Sequence, residues 1–325
     1  MLNKAQRARF MNATKQMKNF DLSVPGTAST TGGTYQKYIE IHNTLAEHRT
    51  VSFLAWHRIL LWEFEEDLIT ADKQLGNDGN ISIPYWPWHL FDGLPGKARG
   101  KLWNDDFMGG DGNTRTKGAL KDSDWKVFND PTGVTLRREL AKNVSYLSTI
   151  AQIKAFQSIT PFDVSPFLEG AAPSRAGYAN TIEGWVYGGP GPAPGTWTTG
   201  LHNCGHVWIG GHMLQVPIAP NDPVFYLNHA NVDRLWAEWQ FAHPKKADQY
   251  PADALLPAPN GRGLPRKVGD IMRPWDGTGG NRTWKVEDSF NFQKIGDIHP
   301  IVPPLAASHN YTYDIMKKKS LAFKP

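Results

Sequence analysis

The chain has 325 residues, 40% apolar and 20% charged, with a formal net charge of +4 and a single cysteine. This composition excludes wholesale disorder, and one cysteine excludes an internal disulfide. Lys and Arg are scattered, and the one tight run, Lys317-Lys318-Lys319, has no DNA- or RNA-reading motif beside it, so it reads as a solvated tail, not a nucleic-acid site.

In chain order, the N-terminal "MLNKAQRARFMNATKQM" has no apolar core followed by a cleavage site, and no run approaches the ~20 apolar residues of a membrane span. The expectation is a protein away from the membrane, with no export signal of its own. Tyr38, Ile41, His42 and Leu45 form a first inward stripe at helical spacing. In "SFLAWHRILLWEFEEDL", Phe53, His57, Leu60, Leu61, Phe64 and Leu68 recur at intervals of three and four, which predicts a helix with Ser52 as its N-cap. Residues 76–135, rich in Gly, Asp, Asn and Trp, read as long surface loops, and residues 136–170 carry modest helical patterning.

The Pro- and Gly-heavy stretch "VYGGPGPAPGTWTTG" cannot be helix. A short helix starts near Leu201 and ends at Gly210 and Gly211. Asp222 and Pro223 supply an N-cap and a first-turn proline for a further helix, on which Phe225, His229, Val232, Trp236 and Trp239 share a face. Residues 251–310 are again Pro- and Gly-rich, with short strands expected near "RTWKVED". Neither a repeat nor an interdomain linker is apparent, so 1–325 reads as a single domain.

The segment "LHNCGHVWIGGH" holds three histidines and the cysteine within twelve residues. His202 and His206, four apart, lie on one helix face about a turn apart and make a ready chelate. Cys204 points away from that face as a small packed residue. His212 follows the glycine break, out of helical phase, and reads as a residue beside the ligands or at a pocket rim. Burying six imidazoles without a metal leaves many polar nitrogens to satisfy. A metal removes that cost for two groups: His42, His48 and His57, then His202, His206 and His229. No carboxylate occupies a ligand position, unlike di-iron and di-manganese bundles. Pure imidazole suits Zn, Cu, Fe or Ni, copper binding most tightly, and three ligands per metal leave open positions.

The motifs "IHNTLAEHRTVSFLAWHRILLWEFE" and "LHNCGHVWIGGHM" with "APNDPVFYLNHANVDRLWAEWQ", together with "RARF" near the start and "YTYD" near the end, resemble the type-3 copper proteins and, among them, the bacterial tyrosinases. The resemblance implies a mainly α fold, a four-helix bundle around a dinuclear copper site, with long loops and a few short β-strands. It places a first copper region at 38–70 and a second at 200–242, with two copper ions held by the two histidine groups. Asp233, one turn after His229, would orient a ligand imidazole or else pair with Arg58 or Arg234. Asn228 and Phe225 would flank the site. Glu183 and Asn203 occupy the places of a Glu and an Asn thought to hold a water that deprotonates the phenol, a group with pKa near ~10.

Departures from the family pattern are a short loop between His42 and His48, Ala55 in place of proline, Asn228 in place of the first of a His-His pair, and Ala46 where fungal relatives carry a thioether-forming cysteine. The implied activity is O2-dependent ortho-hydroxylation of monophenols and oxidation of o-diphenols to o-quinones. The alternatives are a catechol or o-aminophenol oxidase, a hemocyanin-like oxygen carrier and a dizinc hydrolase. Phenolic small molecules, O2 and a copper-delivery helper protein are the expected partners. The chain is expected to lack a C-terminal plug and to be cytoplasmic or exported with the helper.

Overall fold

A computed structural model of the chain describes residues 2–23, 32–90, 102–131, 133, 135–163, 177–184, 201–244, 250, 267–278 and 282–298. Among these the protein is mainly helical, with α1 Lys4–Asn19, α2 Gly33–Leu45, α3 Phe53–Gln74, α4 Ile150–Gln157, α5 Tyr178–Glu183, α6 Leu201–Ile209, α7 Val224–Ala242 and a last turn, α8 Ile295–Ile298. The strands β1 Ile271–Asp276 and β2 Thr283–Lys285 form an antiparallel pair. β2 falls inside "RTWKVED", where strands were expected. The expected Pro- and Gly-rich stretch at 186–200 lies outside the described residues, as does most of 251–310. No described helix is long and apolar enough to cross a membrane.

The chain divides into two compact units. The first comprises Met1–Thr44, Leu60–Thr149 and Asn203–Ala230; the second comprises Leu45–Ile59, Ile150–His202 and Asn231–Pro325. Helices α3, α6 and α7 contribute residues to both.

In the first unit α2, α3, α6 and α7 pack as a bundle. The Tyr35 ring meets Phe64 and Tyr226 edge-on, and Phe64 stacks on Tyr226 with centroids 3.7 Å apart. The Tyr38 hydroxyl donates to the Glu63 carbonyl, tying α2 to α3. The buried stripe of α2 is Tyr35, Tyr38, Ile39 and His42; the expected Ile41 and Leu45 are only half-buried. Tyr35 and Ile39 join the expected Tyr38 and His42 on that face, Tyr35 because its ring packs against Phe64 and Tyr226.

The described part of 76–135 is mostly loop with many exposed residues, as expected, but its tryptophans point inward. Trp86, Trp88, Trp103 and Trp125 are all buried. The Trp86 N–H donates to the Leu227 carbonyl and the Trp88 indole N–H to the Asn228 side-chain oxygen, so the loop is threaded against α7. The α7 start is set by Asp222, whose Oδ1 accepts the Val224 N–H while the carboxylate takes a two-pronged grip from Arg138, both N–O distances 2.6 Å.

In the second unit the end of α7 packs on α4 and α5 and reaches the Phe290 carbonyl through Gln240. The Trp239 indole donates to the Ile159 carbonyl, and Gln157 to that of Leu235. Arg58, from the first turns of α3, is fully buried. Its guanidinium donates to Asp233, Gln240 and the Ser289 carbonyl and lies 3.7 Å over the Trp236 ring. Ser52 directly precedes α3 at the expected N-cap position, its carbonyl taking the Trp56 N–H, and its hydroxyl donates to the buried Glu47 carboxylate.

Candidate metal centre

Six histidines come together in two triads. The ligand-capable atoms of His42, His48 and His57 lie within 4.8 Å of one another, and so do those of His202, His206 and His229. All six side chains are buried, none more than 9% exposed. Each sits where the local chain dictates. His42 ends the inward face of α2, and His57 lies one turn into α3, four residues after Phe53. His202 and His206 are a turn apart on α6, and His229 is one turn after Phe225 on α7.

Two phenylalanines form the floor under these rings. In the first unit Phe225 has its centroid 4.2 Å from His229, 4.8 Å from His42 and 6.1 Å from His206. In the second, Phe53 lies 4.6 Å from His57, 4.9 Å from His202 and 5.8 Å from His48. Phe225 was expected beside the site. Phe53 was read only as part of the α3 stripe, since an apolar residue at helical spacing carries no separate signal of its role.

Main-chain carbonyls orient three of the rings. His57 Nδ1 bonds the Phe53 carbonyl at 2.8 Å, His206 Nδ1 that of Met213 at 2.8 Å, and His202 Nδ1 that of Glu183 at 3.3 Å. A neutral imidazole that donates from Nδ1 carries its lone pair on Nε2, so these bonds select the tautomer a metal requires. Burial pushes the His206 pKa down to about 4, which keeps that ring neutral at ordinary pH. Neither triad contains a carboxylate or thiolate. Six imidazole nitrogens with no hard oxygen donor fit copper.

The remaining candidates fall in distinct places. Glu183, the buried last residue of α5, takes the main-chain N–H of Arg49 on its carboxylate at 2.7 Å. Arg49 directly follows His48 and has a positive φ of 57°, a conformation uncommon outside glycine. Asn203 is half-buried in the first turn of α6. Asn228 stands against Gly205, where a Cβ would lie 2.4 Å from its Oδ1, and so sets the approach of α6 to α7. Asp233 accepts from Arg58. Of the two places expected for His212, beside the ligands or at a pocket rim, its full burial with both nitrogens bonded within the protein excludes the rim. Cys204 is packed away, with its thiol toward the Tyr146 carbonyl. The carbonyls of Phe53, Glu183 and Met213 were missed by sequence reading, because every residue has a carbonyl and residue type does not mark those that bond.

The model of the common central domain of tyrosinase matches residues 27–242. A tyrosinase from Streptomyces antibioticus is 34% identical over 266 residues, covering 76% of this chain and 84% of that protein. Grixazone synthase from Streptomyces griseus is 28% identical over 249 residues, covering 65% of this chain and 76% of its own. Among solved structures, a polyphenol oxidase from Thermothelomyces thermophila shares the fold with a TM-score of 0.61, at 17% identity over 90% of this chain and 84% of that one. Two buried imidazole triads on a mainly helical scaffold, with a family match spanning both, establish that the chain belongs to the tyrosinase family of type-3 copper oxidoreductases.

Proposed function

We propose that the protein is a tyrosinase-type oxidase that uses O2 to hydroxylate monophenols at the ortho position and to oxidise o-diphenols to o-quinones. His42, His48 and His57 would hold one copper ion and His202, His206 and His229 the other. The observation that carries this reading is the pair of all-imidazole triads, each closed to within 4.8 Å. When bound, the copper pair supplies the binding and reduction of O2 and accepts the electrons of the phenol.

The chain's own residues supply position and proton handling. The carbonyls of Phe53, Met213 and Glu183 hold the imidazoles of His57, His206 and His202 in the Nδ1–H tautomer. Phe53 and Phe225 fill the space beneath the rings with apolar surface and keep water from it. A phenol must lose its proton to bind as phenolate, and its pKa near ~10 makes that loss slow without a base. Glu183 is assigned as that base, acting through a water that Asn203 helps to hold, and the phenol proton passes to its carboxylate. Hydroxylation then places one oxygen atom of O2 on the ring and the other in water, and the ring itself supplies all four electrons and leaves as the o-quinone.

The test is O2 uptake by copper-loaded protein on a monophenol and on the matching o-diphenol. Turnover of both supports the reading. Turnover of the diphenol alone makes the protein a catechol-type oxidase, and reversible O2 binding without turnover makes it a carrier.

A further inference from the structure

We infer that His212 is a positioning residue for the second triad: with Asp130 and Arg137 it locks the turn whose Met213 carbonyl orients His206. This rests on the reading of His206 as a metal ligand.

The ring of His212 is fully buried, and each of its nitrogens has one partner of fixed sense. Nδ1 accepts the main-chain N–H of Arg137 at 2.8 Å, which places the ring proton on Nε2. Nε2–H donates to Asp130 Oδ2 at 2.7 Å. The same carboxylate oxygen takes a guanidinium N–H of Arg137 at 2.7 Å. With both nitrogens committed, His212 cannot itself be a copper ligand, although it lies in the same histidine-dense segment as two of them.

The backbone completes the clamp. The His212 N–H donates to the Arg137 carbonyl at 3.1 Å, so ring and main chain both grip the peptide groups of one residue. Gly211, at φ +55°, is pressed so close that a Cβ would lie 2.1 Å from the Arg137 carbonyl oxygen. The turn Gly211–Leu214 therefore has one seating against Arg137. The next residue, Met213, is buried and presents its carbonyl to His206 Nδ1 at 2.8 Å. A shift of this turn moves the carbonyl that His206 Nδ1 bonds and so changes the orientation of the His206 ring. An outer hydrogen bond of this type is worth about ten- to hundred-fold in metal affinity.

The experiment follows release of each copper from the fully loaded protein into a competing chelator, with metal content measured alongside. In His212→Leu, one of the two coppers is expected to leave about ten-fold faster or more, while the other keeps its wild-type rate. His212→Gln, whose amide can accept from Arg137 and donate to Asp130, is expected to restore much of the difference. Asp130→Asn provides a second variant should His212→Leu fail to fold, with the same selective loss expected. Equal acceleration of both coppers, or no change in either, overturns the inference. His206→Ala separates this from failure of the ligand reading itself: if that variant still holds two coppers, His206 is not a ligand and the inference falls with it.

Discussion

The Glu183 carboxylate accepts the main-chain N–H of Arg49 at 2.7 Å, while the Glu183 carbonyl lies 3.3 Å from His202 Nδ1. One residue thus touches the chain next to a histidine of the first triad and a histidine of the second directly. Glu183→Gln keeps an oxygen for Arg49 and leaves the carbonyl in place, so it removes the negative charge and little else. The expected outcome is a loss of about 100-fold or more in monophenol turnover with o-diphenol turnover changed only a few-fold. Initial rates on the paired substrates, with copper content confirmed, check it. A parallel fall on both substrates would show that the residue only supports the fold.

Gly205 lies between the two histidines of α6 and faces Asn228. A methyl group there would sit 2.4 Å from Asn228 Oδ1, and Asn228 is held in turn by the Trp88 indole at 2.8 Å. Gly205→Ala is therefore expected to destabilise the protein by about 1–3 kcal/mol despite alanine's better helix propensity. Denaturant unfolding measures this, and metal analysis should show copper lost from the second triad first.

Lys18 is buried, its amine 4.4–4.7 Å from the centroids of Phe128, Trp125 and Tyr35, with no carboxylate among its described partners. Burial lowers its pKa well below the ordinary 10.5. Below 10.5 the unfolded chain then binds more protons at this residue than the folded one, so this group's contribution to stability rises with pH up to that value. Lys18→Met is expected to be more stable than wild type near neutral pH, by about 1 kcal/mol, with the gap closing as pH approaches 10.5. Thermal melts at several pH values test the sign.

Arg58 and Asp233 form a fully buried pair, with Arg58 also sandwiched against Trp236 at 3.7 Å. Arg58→Ala removes the guanidinium that a buried carboxylate is paired with and is expected to cost about 3–5 kcal/mol. Adding Asp233→Asn to that variant should recover part of the loss. Urea unfolding of the single and double variants measures the coupling, and additive losses would refute it.

Much of the histidine centre is legible from spacing alone. His57 four residues after Phe53, His202 four before His206 and His229 four after Phe225 each put a ring on an inward face, because 3.6 residues per turn is a local property of the backbone. Asp222-Pro223 likewise marked the start of α7, and Gly210-Gly211 the end of α6, through conformational preferences of single residues. The tertiary structure alone decided the rest. Which carbonyls hold the rings, why His212 is a clamp when it could have been a rim residue, why Tyr35 and Ile39 and not Ile41 and Leu45 complete the inward face of α2, and how the tryptophans of the 76–135 loop come to be buried all depend on partners far off in the chain. Those contacts are set by the packing of the whole core, and main-chain acceptors, being present at every residue, leave no trace in the order of side chains.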